Sequence, residues 1–156
     1  MNVIIRKWNI DDLELLTKFQ VDFCNEDRKM DPSLRNDYSE SEKWQSQYKD
    51  FLSNDRSTVL FAYVDWEPVG FLNWYNASWI GDLKNWIWAY LEWVYVIEKY
   101  RWNWIWKQLI QAFEGVYKDK WFTNIRLLVN LKNEKAIKLY NSLWLNAVYA
   151  FMEKDI

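Results

Sequence analysis

The sequence predicts a mixed α/β fold in which helices cover both faces of one sheet, and three observations carry that expectation. Apolar runs of strand character, such as residues 58–64 and 87–96, interleave with stretches such as Ile105, Leu109, Ala112, Phe113 and Val116, whose apolar positions recur at helical spacing. Asp65-Trp66 separates two strand-like runs by a two-residue turn, which makes part of the sheet antiparallel. A length of 156 residues sets one domain, residues 1–156, with enough chain to bury a core.

Each element follows in order. Residues 2–7 read as a short strand, after which Asn9 and Asp11 offer N-cap oxygens to a helix with Leu13, Leu16, Phe19 and Phe23 on its apolar face. Residues 25–40 are polar and broken by Pro32, and a second helix occupies about residues 41–52. Strands at 58–64 and 68–76 form the hairpin, a loop covers 77–86, and 87–96 is a long strand reading IWAYLEWVYV. A helix follows at 103–118, then a buried strand at 125–129. A helix at 133–143 turns Ala136, Ile137, Tyr140 and Leu143 inward, and a last strand spans 145–152. The order β-α-α-β-β-β-α-β-α-β gives about six strands, without repeats, linkers or low-complexity segments.

Composition carries the sharpest signal: the chain has 13 tryptophans and 3 glycines, where average usage would give about eleven glycines. The tryptophans stand at glycine places. Asp65-Trp66 occupies a turn that favours Asp-Gly, because both central residues need positive φ. Trp121 and Trp144 each follow the last turn of a predicted helix, where glycine takes the left-handed conformation without steric cost. In Arg101-Trp102-Asn103-Trp104-Ile105-Trp106-Lys107 the spacing is that of a glycine-rich loop opening a helix. UGA codons that the cell reads as glycine and another code renders as tryptophan account for the whole pattern. Gly70, Gly81 and Gly115 would then come from ordinary glycine codons. Deliberate substitution and natural tryptophan richness are the rival explanations, and UGG at positions 102, 104 and 106 would exclude the UGA account.

Other counts exclude function classes. With 20 basic and 22 acidic side chains and a net charge of −2, no nucleic-acid partner is expected. The absence of histidine removes a Ser-His-Asp hydrolase and a histidine-based metal site, so proton transfer falls to Glu, Asp, Tyr, Lys, Cys or water, and no metal is expected. The single cysteine, Cys24, cannot form an internal disulfide, fits a reducing compartment and reads as an inert thiol. No signal segment and no run long enough to span a membrane is evident, so a cytoplasmic protein without a membrane partner is expected.

The strand ending Val94-Tyr95-Val96 runs through residues 97–100 into the loop Arg101 to Trp106. Reread with glycine, that loop is Arg-Gly-Asn-Gly-Ile-Gly, whose backbone N–H groups at a helix N-terminus would cradle a phosphate, with Arg101 and Lys107 adding positive charge. Downstream lies Asn133-x-x-Ala136-x-x-Leu139-Tyr140-x-x-x-Trp144. With both tryptophans in the loop taken as glycine, Arg101-x-x-Trp104-x-Trp106 resembles the Gln/Arg-x-x-Gly-x-Gly/Ala motif of the GCN5-related N-acetyltransferases, and the downstream stretch is similar to that family's Asn-x-x-Ala-x-x-Leu-Tyr-x-x-x-Gly. The resemblance implies a mixed, mostly antiparallel sheet and acetyl-CoA as acetyl donor. It implies cofactor contacts from Val94, Val96, the loop residues Arg101, Trp102, Asn103, Trp104, Ile105, Trp106 and Lys107, and Asn133, with Tyr140 near the sulfur as acid. Leu91-Glu92-Trp93 also looks like the Leu-Glu-Gly of aminoglycoside 6′-N-acetyltransferase-like members.

Acetyl transfer to an amine requires a base for the ammonium proton, a donor for the developing oxyanion and an acid for the leaving thiolate. Glu92, beside an expected strand bulge, is the candidate base, the N–H of Val94 the carbonyl donor and Tyr140 the acid. Glu92 and Tyr140 have ordinary alternatives as an ion-paired carboxylate and a packing ring. Asp22, Glu26, Asp27, Asp31, Asp37 and Glu40 form either a solvated surface or, as the resemblance implies, a lining that attracts a cationic amine. Direct transfer in a ternary complex by a monomer or homodimer is expected. The alternative is a catalytically silent interaction protein, should literal tryptophans block the cofactor. A nucleotide-binding module is disfavoured, since the loop lacks Gly-Lys-Ser/Thr.

Overall fold

The computed structural model describes residues 2–33, 42–53, 56–77, 88–119, 122–148 and 150. Five strands, β1 (Val3–Lys7), β2 (Ser57–Val64), β3 (Glu67–Asn76), β4 (Trp88–Val96) and β5 (Asn124–Leu127), lie in that spatial order in one sheet. The first four pair antiparallel and β4–β5 parallel. Helices α1 (Leu13–Asp27) and α2 (Glu42–Leu52) connect β1 to β2, α3 (Ile105–Asp119) crosses from β4 to β5, and α4 (Glu134–Ser142) follows β5. The expected mixed fold is found, with one correction among the described residues: five strands in place of about six. Residues 145–148 take no strand conformation, and Val148 is exposed. Residues 149, 151 and 152 of that expected strand, residues 78–86 of the expected loop and Trp121 lie outside the described residues. β5 is also half-buried rather than buried, as suits the last strand of the described sheet.

Strand alternation sorts side chains into two cores. Leu60, Ala62, Leu72, Trp74, Leu91 and Val96 face α3, where Ile105, Leu109 and Phe113 are buried at 3.6-residue spacing. Phe61, Phe71 and Tyr95 face the other way onto Leu16 and Phe19 of α1 and Tyr48 and Leu52 of α2. Each buried aliphatic or phenyl side chain stabilises the fold by roughly 1.5–3 kcal/mol. The entry to α1 is fixed by Asn9, whose side chain caps the turn Ile10–Asp12, and by Arg6, which donates from both terminal nitrogens to Asp12 at 2.8 and 2.5 Å and also to the Tyr63 hydroxyl. That guanidinium is the chief reason the Asp12 carboxyl lies below its ordinary pKa. Gly70 is required for a different reason: a Cβ there would run into the Tyr95 carbonyl on β4.

Among the described residues, four other than glycine have positive φ, and three are tryptophans: Trp66 (71°), Trp104 (57°) and Trp144 (66°), with Asp65 at 48° completing the β2–β3 turn. These are the hairpin turn, the start of α3 and the end of α4, the places where the sequence calls for glycine. The indoles recover little by packing, since Trp66, Trp104 and Trp144 are 81%, 62% and 90% exposed. A left-handed residue with a Cβ costs roughly 1–2 kcal/mol. The triple substitution Trp66→Gly, Trp104→Gly and Trp144→Gly is therefore expected to stabilise the protein by about 3 kcal/mol, raising Tm by roughly 6–12 °C in thermal unfolding. A lower Tm would contradict the steric reading.

Candidate active site

The site forms where β4 changes partners. β4 and β5 pair from Trp88 with Asn124 to Leu91 with Leu127, and β5 then ends, so the β4 edge from Glu92 to Val96 has no strand on that side among the described residues. On the other side, β3 pairs Trp74 with Leu91 and Asn73 with Trp93, which leaves Glu92 as the extra residue of a β-bulge. The bulge turns the Glu92 carboxylate onto the face covered by α1 and α2. There the buried Asn73 amide donates to Glu92 Oε2 at 2.5 Å and to the Tyr48 hydroxyl at 2.5 Å, and Asn73 Oδ1 accepts from the Trp93 N–H at 2.9 Å. Burial raises the Glu92 carboxyl above its ordinary pKa, and the Asn73 hydrogen bond opposes that rise. Trp93 lies between two rings, stacked on Tyr48 at 6.3 Å and tilted against Phe23 at 5.9 Å.

At the far end of β4 the chain makes a 3₁₀ turn over Glu98–Asn103 and enters α3 through the left-handed Trp104, whose carbonyl accepts from the N–H groups of Lys107 at 3.0 Å and Gln108 at 3.2 Å. Trp104 is therefore the N-cap, and helix geometry leaves the N–H groups of Ile105 and Trp106 without intrahelical acceptors. As a backbone, this end of α3 fits a pyrophosphate: donors, a helix dipole and a left-handed cap come together beside the open edge of β4 that holds Val94 and Val96. As written, its side chains do not fit. Trp102 and Trp104 carry exposed indoles, the Trp106 ring lies 5.7 Å from that of Trp104 and packs in part against the α3-side core, and Lys107 Nζ lies over the Trp104 ring at 5.8 Å, so side chains occupy loop positions where glycine would let the backbone meet phosphate. Asn103 lies in the 3₁₀ turn. Arg101 points elsewhere: its Nε donates to the Val96 carbonyl at 2.7 Å, and it pairs with Glu26 at the end of α1 at 2.5 Å.

Asn133 is the N-cap of α4, accepting from the Ala136 N–H at 3.1 Å. Tyr140, on the last turns of α4, packs against the core on the α3 side; burial first and Asp27 second push its hydroxyl up to about 12. Asp27 is itself raised by burial and by Asp31. Of the acidic set, Glu26 is paired with Arg101, and Asp37 and Glu40 lie outside the described residues. Cys24 is half-buried and in no disulfide. Asn73 and Tyr48 enter the site unannounced by any motif. The one signal for Asn73 is a strand-disfavoured amide at an inward position of β3.

A family model described as the acetyltransferase (GNAT) family matches residues 21–143. No curated protein sequence matches the chain. Among solved structures, the aminoglycoside N-acetyltransferase AAC(6′)-Iy, in complex with the bisubstrate analogue CoA-S-monomethyl-acetylneamine, is 18% identical with a TM-score of 0.75 over 100% of both chains. A ribosomal-protein-alanine N-acetyltransferase from Brucella melitensis biovar Abortus 2308 is 16% identical with a TM-score of 0.72, again over 100% of both. A tetramutant of the BH1408 protein from Bacillus halodurans is 20% identical with a TM-score of 0.82 over 98% of this chain and 99% of that one.

Proposed function

The chain belongs to the acetyltransferase (GNAT) family, and from that membership we propose that it transfers acetyl from acetyl-CoA to a primary amine in a ternary complex, with glycine at the loop positions written as tryptophan. The observation that carries the proposal is the left-handed backbone of Trp104 at the head of α3, beside a strand edge left open beyond Leu91. A UGA codon read as glycine explains why tryptophan occurs at that cap, at the hairpin turn and after α4 alike.

Bound acetyl-CoA would supply the activated acetyl group, held at its pyrophosphate by the loop 102–107, whose N–H groups at 105 and 106 lack helical acceptors, along its arm by the backbone of Val94 and Val96, and by Asn133. The chain's own residues divide the remaining work. Glu92, buried at the bulge and raised in pKa, accepts the proton that an ammonium acceptor must lose before it attacks. The Val94 N–H serves the developing negative charge on the carbonyl oxygen. Tyr140, protonated at neutral pH as tyrosines ordinarily are and kept so into alkaline pH by burial, offers an O–H to the leaving sulfur. Asp22 and Asp27 on α1 give the acceptor side a negative character that favours a cationic amine, in keeping with the aminoglycoside N-acetyltransferase among the structural neighbours.

The test uses the protein with glycine at all thirteen tryptophan positions. Free thiol released from acetyl-CoA is followed against aminoglycosides, polyamines and a peptide N-terminus. Release should require an amine, and initial rates with both substrates varied should give intersecting reciprocal plots. Parallel plots would mark a covalent acetyl-enzyme and exclude direct transfer, and thiol release indifferent to every amine would remove the acetyltransferase reading.

A further inference from the structure

We propose that Asn73 is a positioning residue that sets both the orientation and the proton affinity of Glu92, acting as a clamp across the β4 bulge. The inference rests on the reading of Glu92 as the base. Asn73 is completely buried, yet three of its hydrogen-bonding positions are used, each toward a different part of the site. The orientation of its amide is fixed by chemistry. The Trp93 N–H can only donate, so Oδ1 must face it, and both hydrogens of Nδ2 must then face the Tyr48 hydroxyl and Glu92 Oε2. The N–H of residue 93 belongs to the backbone, so the clamp is the same with glycine or tryptophan there.

Two consequences follow for the base. With Oε2 engaged, Oε1 is the oxygen left to take the acceptor's proton: an N–H bond of the ammonium breaks, an O–H bond forms on Glu92, and the carboxyl returns that proton to solvent after product leaves. The second consequence is electrostatic. Among the described residues the groups that interact with Glu92 electrostatically are uncharged at neutral pH: Tyr48 from α2, Tyr75 from β3 and Tyr90 from β4, each itself raised in pKa mainly by burial. The Asn73 N–H is the only donor to the carboxylate among the described hydrogen bonds, so it sustains the ionised form in an otherwise unfavourable setting.

The experiment compares the glycine-bearing protein with its Asn73→Leu variant and reads Glu92 directly, by carbon-13 NMR titration of its side-chain carboxyl, alongside the pH profile of kcat/KM. Loss of the donor should raise the Glu92 pKa by about one unit or more and move the acid limb of the profile upward with it. Acetyl-CoA affinity should stay within about threefold, the scatter expected of a contact the cofactor does not touch. Should Asn73→Leu fail to fold, Asn73→Ala removes the same amide with less apolar bulk, leaves no donor in its place and reads the same shift. An unchanged Glu92 titration in a folded variant would overturn the clamp. Full activity in Glu92→Gln would instead overturn Glu92 as the base, and the NMR titration would still decide the role of Asn73.

Discussion

Replacing Trp102, Trp104 and Trp106 with glycine is expected to raise affinity for acetyl-CoA by at least about 100-fold over the chain as written, measured by isothermal titration calorimetry on both proteins. The magnitude follows from the head of α3. Two backbone N–H groups, those of residues 105 and 106, lack helical acceptors, and charge-assisted hydrogen bonds from them contribute roughly 1.5 kcal/mol each, which together amount to about two orders of magnitude. The indoles are expected to withhold that gain, because side chains at these loop positions keep a phosphate farther from the peptide N–H groups than glycine would. Equal affinity in the two proteins would show that the rings move aside and that the steric argument fails. Absence of binding by the folded glycine form would remove the cofactor site altogether and restore the reading of a silent interaction protein.

The second large effect is at Glu92. In the glycine-bearing protein, Glu92→Gln should lower kcat by roughly 10²–10⁴-fold, the usual contribution of a general base, with little change in acetyl-CoA affinity. The same substitution should stabilise the fold at neutral and alkaline pH. Burial raises the folded-state pKa of Glu92 above its ordinary value, so native structure favours the protonated form. The stability held by that protonated carboxyl is complete below the ordinary carboxylate pKa and is lost as pH rises through the raised one. A neutral glutamine does not suffer that loss. Thermal unfolding of parent and variant should therefore coincide in acid and diverge above it, with the variant more stable. A variant both active and no more stable at pH 8 would place Glu92 outside the catalytic role and outside the buried setting.

Activity and stability thus oppose each other at one carboxylate, which was legible from sequence only in part. The Glu92 position was, because an acidic residue followed by a glycine-like site in a strong strand suggests a bulge, and β4 carries that bulge at Glu92 itself. The hairpin and the α3 face were also legible, since turn chemistry and 3.6-residue spacing are local properties. The partners of Glu92 were not. Asn73 and Tyr48 are 25 residues apart, and only the pairing of β3 with β4 and the docking of α2 bring them together. Arg101 shows the same limit, for its place in the loop motif suggests phosphate, whereas packing sends it to Glu26, 75 residues earlier in the chain. The last expected strand shows another: residues 145–148 have strand-like composition in part, but strand formation depends on a neighbour that composition does not specify.

The bulge also bears on how this protein can change length over evolution. Up to Leu91, β4 is in simple register with β3; after the extra residue, Tyr95 faces the α1–α2 core and Val96 the α3 core. Deleting that one residue would leave Trp93 to Val96 opposite the same β3 partners and on the same faces, so the ladder would close into regular pairing and only the position from which Glu92 projects would be lost. A one-residue deletion at the bulge therefore spares both cores and removes the carboxylate alone, whereas a deletion elsewhere in β4 shifts the register. In this strand a single added residue separates a sheet that merely folds from one that presents an acid group at its surface of contact with α1 and α2.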